Sequence, residues 1–129
     1  ARGVALISLR NPGLFKGGAC LSGDFDQTTI PKDVITIRIY GPYKEHKDRW
    51  KTVDNPQSRI IEWEMPVYLG HGQADTVTPY SQSYTFYQAL KKAHPTVRVL
   101  LNAPEKAGHD WSYWSSEVSN VISFFLSMD

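Results

Sequence analysis

Three short apolar runs, Gly17–Ser22, Pro66–Gly70 and Val97–Leu101, constrain this chain most, because each reads as a buried strand and helical patterns lie around them. A strand covered on both faces shows as a continuous apolar run instead of an alternation. Strands of this kind, joined through helical stretches, imply βαβ crossovers and a parallel sheet with helices on both sides. The expected fold class is therefore α/β.

The helical stretches carry their own punctuation. Val4–Leu9 is helix-compatible and stops at Asn11-Pro12-Gly13, where proline and glycine end a helix. Thr78-Pro79 reads as an N-cap followed by proline in the first helical position. That helix would place Tyr80, Tyr84, Tyr87 and Leu90 on one stripe and stop near His94-Pro95. In the last segment Trp114, Val118, Val121 and Phe125 stand at helical spacing and are expected to face the core. From Asp24 to about Asn55 the periodicity is irregular: a strand-like Val34–Ile39 precedes the polar stretch Pro42–Arg49. An excursion of that length is read as a functional loop or lid.

Composition narrows the function classes. The 129 residues are 41% hydrophobic and 21% charged, which supports a packed core, and 14 basic against 13 acidic residues give a net charge of +1. No electrostatic footprint for nucleic acid or an anionic membrane follows from that balance, and small neutral ligands fit better. The single cysteine, Cys20, excludes an internal disulfide framework and a multi-cysteine zinc site, and it reads as a small core residue. The four histidines lack metal-ligand spacing, and Asp24 with Asp26 is a lone acidic pair, so no metal site is expected. No run approaches the roughly 18 apolar residues of a membrane span. A soluble, cytoplasmic protein is the expectation.

Parallel sheets place their ligand sites beyond the carboxyl ends of the strands. Asp75 follows the second run in Gly70-His-Gly-Gln-Ala-Asp75, and His109 follows the third in Gly108-His-Asp-Trp. If those strands are neighbours, both side chains emerge at one rim. A carboxylate that accepts the Nδ1–H of an imidazole fixes its tautomer and stabilises the imidazolium, which are two thirds of a Ser-His-Asp site. Taken alone, Asp75 could simply cap the following helix, and His71 reads as a packing histidine at a strand end. His46 and His94 read as surface residues. Trp111 and Tyr113 are candidate walls of a substrate pocket, while Trp114 belongs to the core stripe. No Gly-x-Ser-x-Gly occurs, and Ser22 and Ser81 have no such turn around them.

The Gly70–Asp75 and Gly108–Trp114 motifs resemble the acid and histidine motifs of α/β-hydrolases, particularly the esterase family that includes S-formylglutathione hydrolase and tributyrin-esterase-like enzymes. Ala1–Phe15 resembles the helix after the nucleophile in that family, Cys20-Leu-Ser-Gly23 the end of the next strand, and Tyr40-Gly-Pro42 with Trp50–Pro56 the approach to the acid strand. The resemblance implies a partial α/β-hydrolase-like fold, comprising its carboxy-terminal strands and helices: one domain over residues 1–129, truncated at its amino terminus, with 24–55 as a lid- or insert-like segment. It implies a carboxylic-ester hydrolase in which Asp75 and His109 are the acid and base, with the serine and the oxyanion hole outside this chain. The chemistry that the resemblance implies needs no cofactor. The chain alone is then expected to be inactive on its small-molecule ester substrate. A serine peptidase of the prolyl-oligopeptidase type has similar motifs, but the short spacing and Trp111-x-Tyr113-Trp114 favour the esterase. The non-enzyme reading is a half-domain acting through self-association or a partner chain. An uncovered strand edge makes a homo-oligomer or a complementary chain the expected assembly.

Overall fold

The computed structural model describes residues 1–128. Three parallel strands, β1 (Gly18–Leu21), β2 (Val67–Gly70) and β3 (Val99–Asn102), lie in the order β1-β2-β3, with Leu21 opposite Gly70 and Gly70 opposite Asn102. All three therefore end at one level. Their helices are α1 (Arg2–Arg10), α2 (Val34–Tyr40), α3 (Ser81–Ala93) and α4 (Trp111–Leu126).

β2 is buried along its whole length, so it divides the core by the two-residue alternation of a strand. Val67 and Leu69 join Ala5, Leu9, Cys20, Phe25, Trp63, Phe86, Leu90 and Val99 in one cluster. Phe86 stacks on Phe25 at 4.1 Å and meets Trp63 edge-on at 5.6 Å. Tyr68 points the other way, edge-on to Phe124 of α4 at 5.7 Å. Cys20 is fully buried, and burial pushes its thiol pKa up to about 12. Among the described residues no helix is long and apolar enough to cross a membrane.

The strand-like Val34–Ile39 folds as helix α2. Asp33 caps it by accepting from the Thr36 amide at 2.8 Å and the Thr36 hydroxyl at 2.7 Å, and Gly41 closes it with a φ of 81° that side-chain-bearing residues rarely adopt. Local capping overrides the β-branched composition. The rest of 24–55 holds a 3-10 turn at Gln27–Thr29 and a π-helical turn at Arg49–Val53.

Two helix faces also differ from the apolar spacing. α3 begins at Ser81, with Tyr80 as its cap residue, and it buries Gln82, Ser83, Phe86 and Leu90 while Tyr84 is exposed. The Gln82 side chain accepts from the amides of Phe25 at 3.0 Å and Asp26 at 2.9 Å, so a polar residue ties α3 to the segment after β1. α4 is rotated from the expected stripe: it buries Tyr113, Glu117 and Phe124 and exposes Val118 and Phe125. The cause is a buried hydrogen-bonded cluster. Glu117 takes the hydroxyls of Tyr68 and Tyr113 and the amide of Asn102, a set of partners that hydrophobicity alone does not register.

Candidate active site

The loops that leave β2 and β3 are zipped together by backbone hydrogen bonds from His71 N to Asn102 O, Gln73 N to Pro104 O and Ala74 N to Ala107 O, each 3.0 Å. Gly72 sits inside this zip, where a Cβ would come within 2.1 Å of Ala107 O. Only glycine lets the two backbones approach so closely.

That contact brings Asp75 and His109 together: His109 Nδ1 lies 2.9 Å from Asp75 Oδ2. The other carboxylate oxygen, Oδ1, accepts from the amides of Val77 and Thr78, both at 2.8 Å. Asp75 thus closes the turn before α3 with one oxygen and meets the imidazole with the other. Its side chain is fully buried. Burial works to raise its pKa, but the Thr78 amide, the His109 ring and the Val77 amide together hold it below the ordinary carboxylate value.

His109 is fixed from its other side as well. Asp110 caps α4 by accepting from Tyr113 N at 2.9 Å, and Trp114, one turn along, meets the His109 ring edge-on at 5.0 Å. The Trp114 indole donates to Ser22 Oγ at 2.9 Å. Ser22 ends β1 with a left-handed φ of 53°, a strain on the order of 1–3 kcal/mol that its amide bond to Gly70 O at 2.7 Å helps to hold. Trp114 was expected in the core stripe; it braces the histidine.

The two candidate pocket residues lie elsewhere. Trp111 is 78% exposed and leans on Trp114, 5.1 Å between rings. Tyr113 is buried, because its hydroxyl reaches inward to Glu117. Neither lines the groove of about 520 Å³ that opens beside His109. That groove is walled by α1, by the 24–55 segment, including Ile35, Ile39 and Tyr40, and by Val77 and Thr78 of the turn before α3. Most of its charges are paired: Arg2 donates to Asp24 at 3.0 Å, and Arg10 and Arg49 both contact Asp54. Asp33, the cap of α2, also lines the groove and takes only the Thr36 amide and hydroxyl among the described residues, so branched aliphatic walls stand beside charged side chains there.

His71 and His94 are more engaged than their contexts indicate. His94 Nε2 lies 2.7 Å from Ile60 O. His71 is fully buried, with Nδ1 2.7 Å from Ser83 Oγ and Nε2 2.9 Å from Thr78 O. Burial pushes the His71 pKa down, so the folded protein favours the neutral ring. A base with a depressed folded-state pKa contributes stability that is present above its ordinary value of 6.5 and lost as pH falls through the folded one. Asp75 acts in the same direction lower down, below 3.8. The melting temperature is therefore expected to drop between pH 7 and pH 5, and to drop less in His71→Gln. Equal losses in the two proteins would contradict this assignment.

The arrangement has an explicit chemical capacity. With its Nδ1–H given to Asp75, His109 presents Nε2 as an acceptor with no hydrogen-bond partner among the described residues, and the side chain is 27% exposed. That is the geometry of a general base. No cluster of three or more metal-ligating side chains occurs among the described residues.

The profile of the prolyl oligopeptidase family matches residues 3–127. A comparison with curated proteins finds no match. Among solved structures the chain is similar to puromycin hydrolase, with a TM-score of 0.77 and 20% identity over 95% of this chain and 20% of that one. It is also similar to Porphyromonas gingivalis dipeptidyl peptidase 4, with a TM-score of 0.78 and 18% identity over 94% of this chain and 17% of that one. TT1662 from Thermus thermophilus gives a TM-score of 0.72 and 18% identity over 99% of this chain and 50% of that one. The fold is thus a part of the parallel-sheet α/β fold of these hydrolases. The chain spans about a fifth of the length of the first and half of the last.

Proposed function

The chain belongs to the prolyl oligopeptidase family, and we propose that it is the acid-and-histidine portion of a serine peptidase catalytic domain. The observation that carries this reading is the 2.9 Å approach of His109 Nδ1 to Asp75 Oδ2, with Nε2 free of hydrogen bonds among the described residues. In the proposed reaction His109 Nε2 takes the proton of a serine hydroxyl supplied from outside the 129 residues, and the serine oxygen bonds to the substrate carbonyl carbon. The resulting imidazolium then protonates the leaving nitrogen as the carbon–nitrogen bond breaks, and water repeats the sequence to release the acyl group. Asp75 stays ionised and holds the ring. Chain that pairs with the free edge of β1 would bring the serine to His109, whether continuous with these residues or as a second chain. The aliphatic wall of the groove, Ile35, Ile39 and Val77, supports an apolar side chain in the substrate residue next to the cleaved bond.

Ester hydrolysis is the second reading, favoured by the Gly108–Trp114 motif. The two differ at the leaving group: an amine must be protonated as it departs, whereas an alkoxide leaves more readily. The test compares a peptide p-nitroanilide with p-nitrophenyl acetate. The 129-residue polypeptide is expected to turn over neither substrate, because it contains no serine elbow. A polypeptide that also contains the nucleophile is expected to cleave the anilide. Ester turnover without anilide turnover would favour the esterase, and stoichiometric phosphonate labelling of a serine within residues 1–129 would overturn both readings.

A further inference from the structure

Asp75 Oδ2 lies between two imidazoles. His109 Nδ1 approaches it at 2.9 Å, and His71 Nε2 stands 3.3 Å away on the other side. The His71 ring has a single consistent tautomer. Thr78 O can only accept, so Nε2 carries the proton, and Nδ1 then accepts from the Ser83 hydroxyl. The positive end of the His71 Nε2–H bond thus faces both Thr78 O and the edge of Asp75 Oδ2. His71 and Ser83 are fully buried, so the orientation is held by α3 and not by solvent.

We propose that His71 is a positioning residue for the dyad: its Nε2–H, locked by Ser83, keeps Asp75 turned so that Oδ2 meets His109 Nδ1. Each Asp75 oxygen is then restrained, Oδ1 by the Val77 and Thr78 amides and Oδ2 by the two rings. His71 also holds Thr78 O, which ties the turn carrying Asp75 to the helix behind it. Without the His71 N–H, Oδ2 loses its rear restraint, and the turn at Thr78 loses its anchor. His109 would lose part of the acceptor that keeps its proton on Nδ1. This proposal rests on the reading of Asp75 and His109 as acid and base.

Long-range 1H–15N NMR on the full chain tests it, since imidazole nitrogen shifts report which ring nitrogen holds the proton, and exposed His46 supplies a reference in the same spectrum. In the wild type His71 is expected as the Nε2–H tautomer; an Nδ1–H ring would overturn the proposal. In His71→Leu the His109 shifts should move most of the way toward those of His46. In His71→Gln, whose amide can donate from the same place, they should stay near the wild type, a rescue that loss of packing alone does not explain. Ser83→Ala leaves Asp75 and His109 untouched and should move His109 in the same direction by less, which decides the matter if His71→Leu does not fold. Asp75→Asn separates the two levels. If it shifts His109 and neither folded His71→Leu nor Ser83→Ala does, the positioning role is wrong and the dyad stands. If Asp75→Asn itself leaves His109 unmoved, the dyad reading fails, and this proposal with it.

Discussion

Asp75→Asn is expected to lower kcat/KM by about 10⁴-fold in a polypeptide that includes the serine nucleophile. The reason lies in the partners of the two carboxylate oxygens. Val77 N and Thr78 N both donate to Oδ1, so an asparagine must keep its carbonyl oxygen there and turn its NH₂ toward His109. Two donors cannot face each other, so His109 Nδ1 would have to accept, and its proton would move to Nε2. A protonated, neutral Nε2 donates to serine and cannot remove its proton. KM should change little, because Asp75 is buried and does not line the groove. Steady-state kinetics of the two proteins measure this directly. A variant with kcat within tenfold of the wild type would mean that Asp75 does not hold the base.

Glu117→Ala is expected to be among the most destabilising single substitutions in the chain. Glu117 is 1% exposed, and its carboxyl collects four donors, the Tyr68 and Tyr113 hydroxyls and the Asn102 and Asn120 amides. Those groups join β2, β3 and α4. Each buried donor left without a partner costs about 1–3 kcal/mol, and the truncation opens a cavity besides. Glu117→Gln keeps one acceptor in place, and either hydroxyl can rotate to meet the new amide, so its loss should be clearly smaller. Urea unfolding of the three proteins checks the order. Equal stability of Glu117→Ala and the wild type would show that the cluster adds nothing to the fold. The same bonds hold both tyrosine hydroxyls protonated: burial first, then the Glu117 contact, raises their pKa values.

What the sequence made legible follows from which residues carry local rules. The three strands could be read because apolar runs between turn residues have few alternatives: β1 and β2 fall inside Gly17–Ser22 and Pro66–Gly70, and β3 runs one residue past Val97–Leu101, to Asn102. The meeting of Asp75 with His109 could be anticipated because parallel neighbours end at one rim. Helix faces were not legible where buried polar groups set them. Ser83 and Gln82 in α3 and Glu117 in α4 are inside because each has a partner on another element, Glu117 the Tyr68 hydroxyl and the Asn102 amide, and a hydrophobic stripe does not count such residues. α2 was misread because β-branched residues dominate its composition, while Asp33 and Gly41 decide its ends. Trp111 and Trp114 differ from expectation for a related reason: Trp111 lies exposed, Trp114 meets His109, and the aromatic spacing alone does not say which ring does so. His71 looked like packing; its link to Asp75 depends on Thr78 and Ser83, which no motif joins to it. The short spacing and Trp111-x-Tyr113-Trp114 pointed to the ester, whereas the family profile over residues 3–127 favours the peptidase alternative; the motifs mislead because both chemistries use the same acid and histidine.

The Asp75–His109 contact carries the proposed chemistry, and the tautomer of His109 measures it most directly. In wild-type protein above neutral pH, a long-range 1H–15N spectrum should show His109 with its proton on Nδ1 and Nε2 bare, as donation to Asp75 at 2.9 Å requires. A spectrum showing His109 with the proton on Nε2, indistinguishable from exposed His46, would contradict the dyad and the function built on it.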